Sequence, residues 1–315
     1  MNKTILLLLF ILVIGCANHS KTEHETEVYL FSFFQNNGED GLHLAYSYDA
    51  LKWKALKNNK SFLKPEVSQD KLMRDPCIIK GPDNKFHMVW TVSWTDKGIG
   101  YANSSDLIHW SDQQFIPVMK HEPTARNSWA PELFYDEDSG QYIIYWATTI
   151  PGRFPETAAT AESDYNHRLY YTTTKDFKSF TKTELFYDKG FNVIDGTIQK
   201  INGEYKMFVK NETLKPVEEK NIRMVSSKSL LGEYSEASEP ITTSWVEGPT
   251  AIETEEGWIV YFDQYTRHQM GAVRSKDLVN WTDISDKISF PDGTRHGTIF
   301  KVKESVLNKL LLIKE

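Results

Sequence analysis

One pattern recurs five times along this 315-residue chain and restricts its folds more than any other feature. An alternating apolar stretch is followed by Ser/Thr or Tyr, then Asp, then an aromatic residue four positions on. The copies are Leu42–Asp49 with Trp53, Ile99–Asp106 with Trp110, Leu169–Asp176 with Phe180 and Met270–Asp277 with Trp281. A degenerate copy runs from Ile222 through Leu230 to Tyr234 and lacks the Asp. Between the copies lies a second pattern: a short apolar strand, a tight turn and an aromatic-rich strand. Cys77–Ile79 turns at Gly81–Asn84 into Phe86–Trp90, and Leu133–Tyr135 turns before Gly140 into Tyr142–Trp146. Ile198–Ile201 turns at Asn202-Gly203 into Tyr205–Val209, and Thr250–Ile252 turns near Gly257 into Trp258–Phe262. Period-2 alternation between turn residues marks strands, and Asn-Gly is a strong hairpin signal. Only Ser305–Leu312 carries a weak helical period.

Each unit of about 50–70 residues therefore holds three or four strands. The fifth unit is split: His296–Phe300 supplies its innermost strand, while Val28–Phe34 and Leu42–Tyr48 supply the others. Pairing the first strands with the last closes a ring and leaves no open edge around it. The expected fold is all-β, a five-bladed β-propeller. A β-sandwich would need five copies of one pattern to arise by coincidence.

The residues ahead of each innermost strand should converge at one mouth of the central channel. They are Arg74-Asp75-Pro76, Ala130-Pro131-Glu132, Ile194-Asp195-Gly196, Val246-Glu247-Gly248-Pro249 and Arg295-His296-Gly297. Singly, an Asp before Pro is a turn residue and a Glu before Gly is a solvated one. Placed together, the four carboxylates repel and push their pKa values apart, which a fold has no structural need for. Two carboxylates with separated pKa values suit glycoside hydrolysis, one protonating the leaving oxygen and the other activating water or attacking the sugar.

As an ordered set, Arg74-Asp75-Pro76, Trp129-Ala130-Pro131-Glu132, Val193-Ile194-Asp195 and Glu247-Gly248-Pro249 resemble glycoside hydrolase family 43, the five-bladed inverting arabinanases, arabinofuranosidases and β-xylosidases. The resemblance covers nearly all of the chain after its N-terminal segment. It implies Asp75 as general base, Glu247 as general acid and Asp195 as the residue that orients Glu247 and tunes its pKa. It also implies inversion at the anomeric carbon. His296 matches a channel histidine that in many members meets a hydrated metal, often calcium. A structural calcium held mostly through water is thus compatible with the sequence, while no cofactor is required. Trp94, Trp129 and Trp245 are candidates for stacking on sugar, with Arg74, Arg295, Glu132 and His296 as further substrate contacts. Arg126, Lys210, Glu212 and Asp263 are weaker candidates at strand ends, and 151–167 is expected to form a loop shaping the rim.

Fructan-cleaving propellers place Arg-Asp-Pro after an Asn-Asp-Pro-Asn motif, which is absent here. A non-catalytic sugar-binding protein need not keep Asp75, Asp195 and Glu247 together. The favoured activity is exo-acting α-L-arabinofuranosidase, with β-xylosidase, β-galactofuranosidase and endo-arabinanase as alternatives.

The apolar run Ile5–Ile14 is too short to span a bilayer and suits a signal-peptide core. It ends in Val13-Ile14-Gly15-Cys16, which resembles a bacterial lipobox with Cys16 as the lipidated residue. The expected organisation is a signal peptide over 1–15, a tether over 16–27 and one catalytic propeller over 28–315. Removing 1–15, which contains a single Lys and no acidic residue, takes the net charge from −7 to −8. That balance argues against a nucleic-acid partner. The expected partners are a carbohydrate and, through the lipid only, the membrane, for a monomer in the cell envelope, periplasmic or on the outer-membrane surface. Cys77, in an apolar run and without a partner cysteine once Cys16 is lipidated, is expected to be a buried small hydrophobe.

Overall fold

The computed structural model describes residues 26–313. Cys16 and most of the expected tether lie outside the described residues. Among these, 19 strands form five antiparallel sheets, a five-bladed β-propeller. β1 (Glu27–Phe33), β2 (His43–Ser47) and β3 (Lys54–Ala55) begin the closing blade. Blade 1 is β4 (Arg74–Lys80), β5 (Phe86–Thr91), β6 (Ile99–Ser104) and β7 (Gln114–Ile116). Blade 2 is β8 (Trp129–Asp136), β9 (Gln141–Thr149), β10 (His167–Thr174) and β11 (Glu184–Tyr187). Blade 3 is β12 (Val193–Ile201), β13 (Glu204–Asn211) and β14 (Asn221–Ser227). Blade 4 is β15 (Glu247–Thr254), β16 (Gly257–Gln264), β17 (Gln269–Ser275) and β18 (Thr282–Asp283). β19 (Gly297–Lys303) returns to pair with β1, from Gly297 opposite Phe33 to Lys303 opposite Glu27. The first strand thus starts at Glu27, one residue before the expected boundary. A helix, α1 (Glu304–Leu311), follows β19 and buries Leu307 and Leu310.

The recurring Asp explains the regularity of the outer strands. Ser47, Ser104, Thr174 and Ser275 each sit two residues before it and receive backbone N–H bonds. Asp49, Asp106, Asp176 and Asp277 each accept two further backbone N–H groups of the next turn. This is an Asx-type turn, and it aims the chain into the outer strand. In blade 3 Ser229 stands at that place. Its amide donates to Ser227, but it brings no carboxylate to gather the following amides. No fourth strand forms there, and isolated bonds such as Ser235 N to Ser226 O replace the ladder.

The core lies between blades. Trp90 and Trp146 are fully buried, and Trp53 stacks on Phe290 at 5.2 Å. Burial at about 25 cal/mol per Å² makes each such ring, covering roughly 200 Å², a gross gain of about 5 kcal/mol before entropy. Cys77 is buried in the cluster joining blades 1 and 2, as a small apolar residue would be.

Candidate active site

Four of the five innermost strands are broken at their heads by a bulge. In β4 the pairing jumps from Arg74 to Cys77, in β8 from Trp129 to Glu132, in β12 from Ile194 to Gly196 and in β15 from Glu247 to Thr250. Pro76, Pro131 and Pro249 lack the N–H a ladder needs, which puts the irregularity there. At each bulge one residue adopts a left-handed backbone: Asp75 (φ 52°), Ala130 (φ 45°), Asp195 (φ 52°) and Gly248 (φ 62°). Bulges of this kind re-aim side chains next to functional sites. They also correct the expectation that the four carboxylates hold equivalent places. Asp75 and Asp195 sit on the bulge, Glu247 sits one residue before it, and Glu132 sits two residues after Ala130.

That difference in register separates Glu132 from the rest. It is buried below the mouth beside the Cys77 thiol (3.5 Å) and Thr298 (3.4 Å), and it does not line the cleft. Burial pushes its carboxyl up to about 8 against the pull of His296. Asp75, Asp195, Glu247, Arg74, Arg295 and His296 do line one cleft of about 560 Å³, with Trp94 and Trp129 on its wall. Trp245 is not among the lining residues; its indole donates to Glu218 at 2.8 Å.

Asp75 is gripped from two sides. Thr91 donates to Oδ2 at 2.8 Å and accepts the amide of Ala130 at 2.8 Å, while Nδ1 of His296 lies 3.3 Å from Oδ1. Burial alone would raise the carboxyl, but His296, Arg74 and Thr91 outweigh it and bring it down to about 2. In turn, burial works against charge on His296, yet Asp75, Asp195 and Glu247 hold it at about 9, so it is an imidazolium at neutral pH. Asp195 is displaced the other way. Burial, Glu247 and Asp75 raise it above the usual carboxylate range, although His296 and Lys210 pull it down. Its Oδ2 accepts the amide of Gly248 at 3.0 Å, anchoring the backbone beside Glu247.

Glu247 stands between two cations. Lys210 reaches Oε2 at 3.3 Å and Arg295 reaches Oε1 at 3.4 Å. Arg295 also binds Asp263, the fully buried cross-strand neighbour of Glu247, at 2.6 Å. Burial and Glu247 raise the Asp263 carboxyl against the pull of Arg295.

Several lining residues carry no repeat signature: Asn37, Thr91, Tyr165, His167 and Tyr265. Asn37 accepts from both Arg74 (3.0 Å) and Trp94 (3.1 Å). Tyr165 stacks on Trp129, its ring centre 4.8 Å away, and Arg126 caps Tyr165 from 3.8 Å. The expected rim loop over 151–167 is in place but ends at 166, since His167 opens β10; it carries a short 3-10 turn (Pro155–Thr160), and Glu162, Ser163 and Tyr165 line the cleft together with His167. Only the Gly/Pro and polar composition of that segment could have pointed to it.

The donor set does not build a directly ligated metal site. His296 spends Nδ1 on Asp75, and among the described residues no three His, Cys, Asp or Glu gather to hold an ion.

A five-bladed propeller with clustered carboxylates at its channel mouth defines the class of propeller glycoside hydrolases. The family model described as "Probable glycosyl hydrolase domain", related to glycoside hydrolase family 43, matches residues 24–307, and the chain belongs to that family. The chain is 23% identical to an α-L-arabinofuranosidase of Bifidobacterium longum over 75% of this chain and 29% of that protein, so it spans under a third of that relative's length. A GH43 β-1,3-galactosidase structure with galactodeoxynojirimycin covers 87% of this chain and 93% of its own, at 14% identity and a TM-score of 0.56. An endo-arabinase of Bacteroides thetaiotaomicron covers 73% and 85% at 17% identity and TM-score 0.53. An α-L-arabinofuranosidase of Lactobacillus brevis covers 68% and 72% at 16% identity and TM-score 0.52. At these identities the structures share the fold.

Proposed function

We propose that this protein is a glycosidase that releases arabinofuranosyl units by an inverting mechanism, with Asp75 as general base, Glu247 as general acid and Asp195 as the residue that orients Glu247. One observation carries the reading: Asp75, Asp195 and Glu247 line a single cleft, with Asp75 held in its charged form by His296 and Thr91 and with Asp195 fastened to the Gly248 amide beside Glu247. An ionised Asp75, fixed by Thr91 and His296, is fit to take a proton from water as that water attacks the anomeric carbon. In the same step the glycosidic C–O bond breaks and the Glu247 carboxyl delivers its proton to the leaving oxygen, while Asp195 holds the Gly248 amide and with it the approach of Glu247. Burial of these groups strengthens their mutual electrostatics. The similarity to the Bifidobacterium arabinofuranosidase supports the choice of sugar.

Nitrophenyl α-L-arabinofuranoside, β-xyloside and β-galactofuranoside, with linear and branched arabinan, form the test panel. Fastest release from the arabinofuranoside is expected, with the inverted anomer appearing first by proton NMR. Release from none would overturn the hydrolase assignment, and a retained anomer would overturn the roles of Asp75 and Glu247. We also propose that Cys16 carries lipid and anchors the enzyme in the cell envelope. Palmitate labelling lost in Cys16→Ala is the expected outcome.

A further inference from the structure

Glu247 sits inside a string of seven alternating charges. Glu162 meets Lys220 at 2.7 Å, Lys220 meets Glu212 at 2.6 Å, and Glu212 meets Lys210 at 2.6 Å. Lys210 then meets Glu247, Glu247 meets Arg295, and Arg295 meets Asp263. The string joins the rim loop, blade 3, blade 4 and the segment before β19. We propose that Lys210, with Glu212 as its counter-charge, positions the Glu247 carboxyl and fixes the charge it meets, and that Lys220 and Glu162 tie this setting to the rim loop. The inference rests on Glu247 being the general acid.

Geometry and charge both support it. Lys210 and Lys220 are 3% and 2% exposed, which long cationic side chains do not reach without paired partners. Lys210 lies cross-strand from Ile194, next to Asp195, and its amine leaves its own blade to reach Glu247 on the next. Two cations beside a carboxylate favour its ionised form, whereas a general acid must hold a proton. Glu212 resolves that conflict, because it lies between Lys210 and Lys220 and offsets both. With Glu247 ionised, the string holds four carboxylates against three cations. Beyond the string, the charged and titratable groups around Glu247 are Asp195 from β12, Tyr265 after β16 and His296 before β19. Asp75 faces the same cleft from β4.

Opposite shifts from two neighbouring residues are the signature. The pH profile of kcat should be measured on the fastest nitrophenyl glycoside for the wild type and for Lys210→Met, Lys210→Arg, Glu212→Gln and Glu247→Gln. Its alkaline limb reports deprotonation of the acid. Lys210→Met removes a cation, so the limb should move up by about one pH unit while kcat falls roughly tenfold. Glu212→Gln removes an anion, so the limb should move down. Lys210→Arg should keep the wild-type limb. A purely structural pair would lower kcat without moving the limb, or would move it the same way in both variants, and either result overturns the proposal. Should Lys210→Met fail to fold by circular dichroism, Glu212→Gln alone decides: a downward limb supports the proposal and an unmoved one overturns it. Full activity in Glu247→Gln would instead overturn the underlying assignment of the acid.

Discussion

The two sides of the cleft handle a carboxylate in opposite ways. On the blade 1 side, Asp75 has one full cation at hydrogen-bond range, His296, and one hydroxyl, Thr91. It is driven to its charged form. On the blade 4 side, Glu247 shares its surroundings with two further carboxyls, Asp195 and Asp263, both raised, and with two cations that are themselves paired. The propeller delivers both groups from the heads of innermost strands. Their roles therefore come from neighbours brought in by adjacent blades, and not from the strand heads alone. On the proposed reading, base and acid are distinguished by what the ring closes around them.

The largest effect should come from deleting either pole. Asp75→Asn and Glu247→Gln are each expected to lower kcat by about 10²- to 10⁴-fold on the fastest nitrophenyl glycoside. Sugar binding should survive in both, measured by calorimetry. A pole that can be neutralised without such a loss does not belong to the acid–base pair, and the contrast between the two sides then collapses.

Next in size is the backbone beside the acid. Gly248 takes φ +62°, and a Cβ there would lie 2.3 Å from Cγ of His296. Gly248→Ala must therefore displace the imidazolium or the bulge, disturbing the Gly248–Asp195 bond and the His296–Asp75 pair together. We expect about a hundredfold loss of kcat/KM with destabilisation of roughly 2 kcal/mol or more, read by chemical denaturation. In blade 2 an alanine, Ala130, occupies the corresponding bulge at φ 45°, with its amide donated to Thr91 Oγ1, so a Cβ is compatible with that backbone where its surroundings leave room.

The blade architecture was readable because its signals are local: a Ser/Thr two residues before an Asp, followed by an aromatic, marks each regular outer turn. Blade 3 showed only a degenerate copy of the pattern; that Ser229 takes the place of the Asp and that the fourth strand is lost emerged from the fold. The convergence of Asp75, Asp195 and Glu247 on one cleft was readable for the same reason. Their exact register was not. A bulge is set by the partner strand and by Pro, and one or two residues of slip placed Glu132 in the channel below. Tyr165 and Tyr265 were hidden because they come from blade-specific loops that no repeat constrains, and His167 because it opens β10 directly after such a loop. Lys210 and Glu212 stood only as weaker candidates at strand ends, because the contact of Lys210 with Glu247 on the next blade depends on how the blades pack.

His296 tests the charged side through pH. Its folded pKa of about 9 lies above the ordinary 6.5, so its contribution to stability is fully present below about 6.5 and is lost as pH rises through 9. Asp75, lowered from 3.8 to about 2, contributes above 3.8 and loses that contribution as pH falls through 2. Wild-type Tm should therefore decline between pH 6.5 and 9 more steeply than that of His296→Gln. In the variant, Asp75 keeps its burial but loses its cation, so the acid limb of kcat/KM should move to higher pH. Equal Tm slopes in the two proteins would show that the imidazolium pair contributes nothing to holding the base.

The smallest effect separates the aromatic residues of the two sides. Trp94 is 44% exposed on the base side, with the Arg74 guanidinium 4.3 Å from its ring and Trp129 edge-on at 5.5 Å. It presents a braced, open face at the rim of the cleft. Trp245, on the acid side, is tied to Glu218, lies near Lys220 and does not line the cleft. Losing a sugar-stacking ring costs about 1 kcal/mol, or roughly a fivefold rise in KM. Trp94→Ala should show that rise with kcat nearly unchanged, whereas Trp245→Ala should leave KM at the wild-type value. A reversed result would place the sugar's apolar face against blade 4, and the base side would then supply charge without a stacking surface.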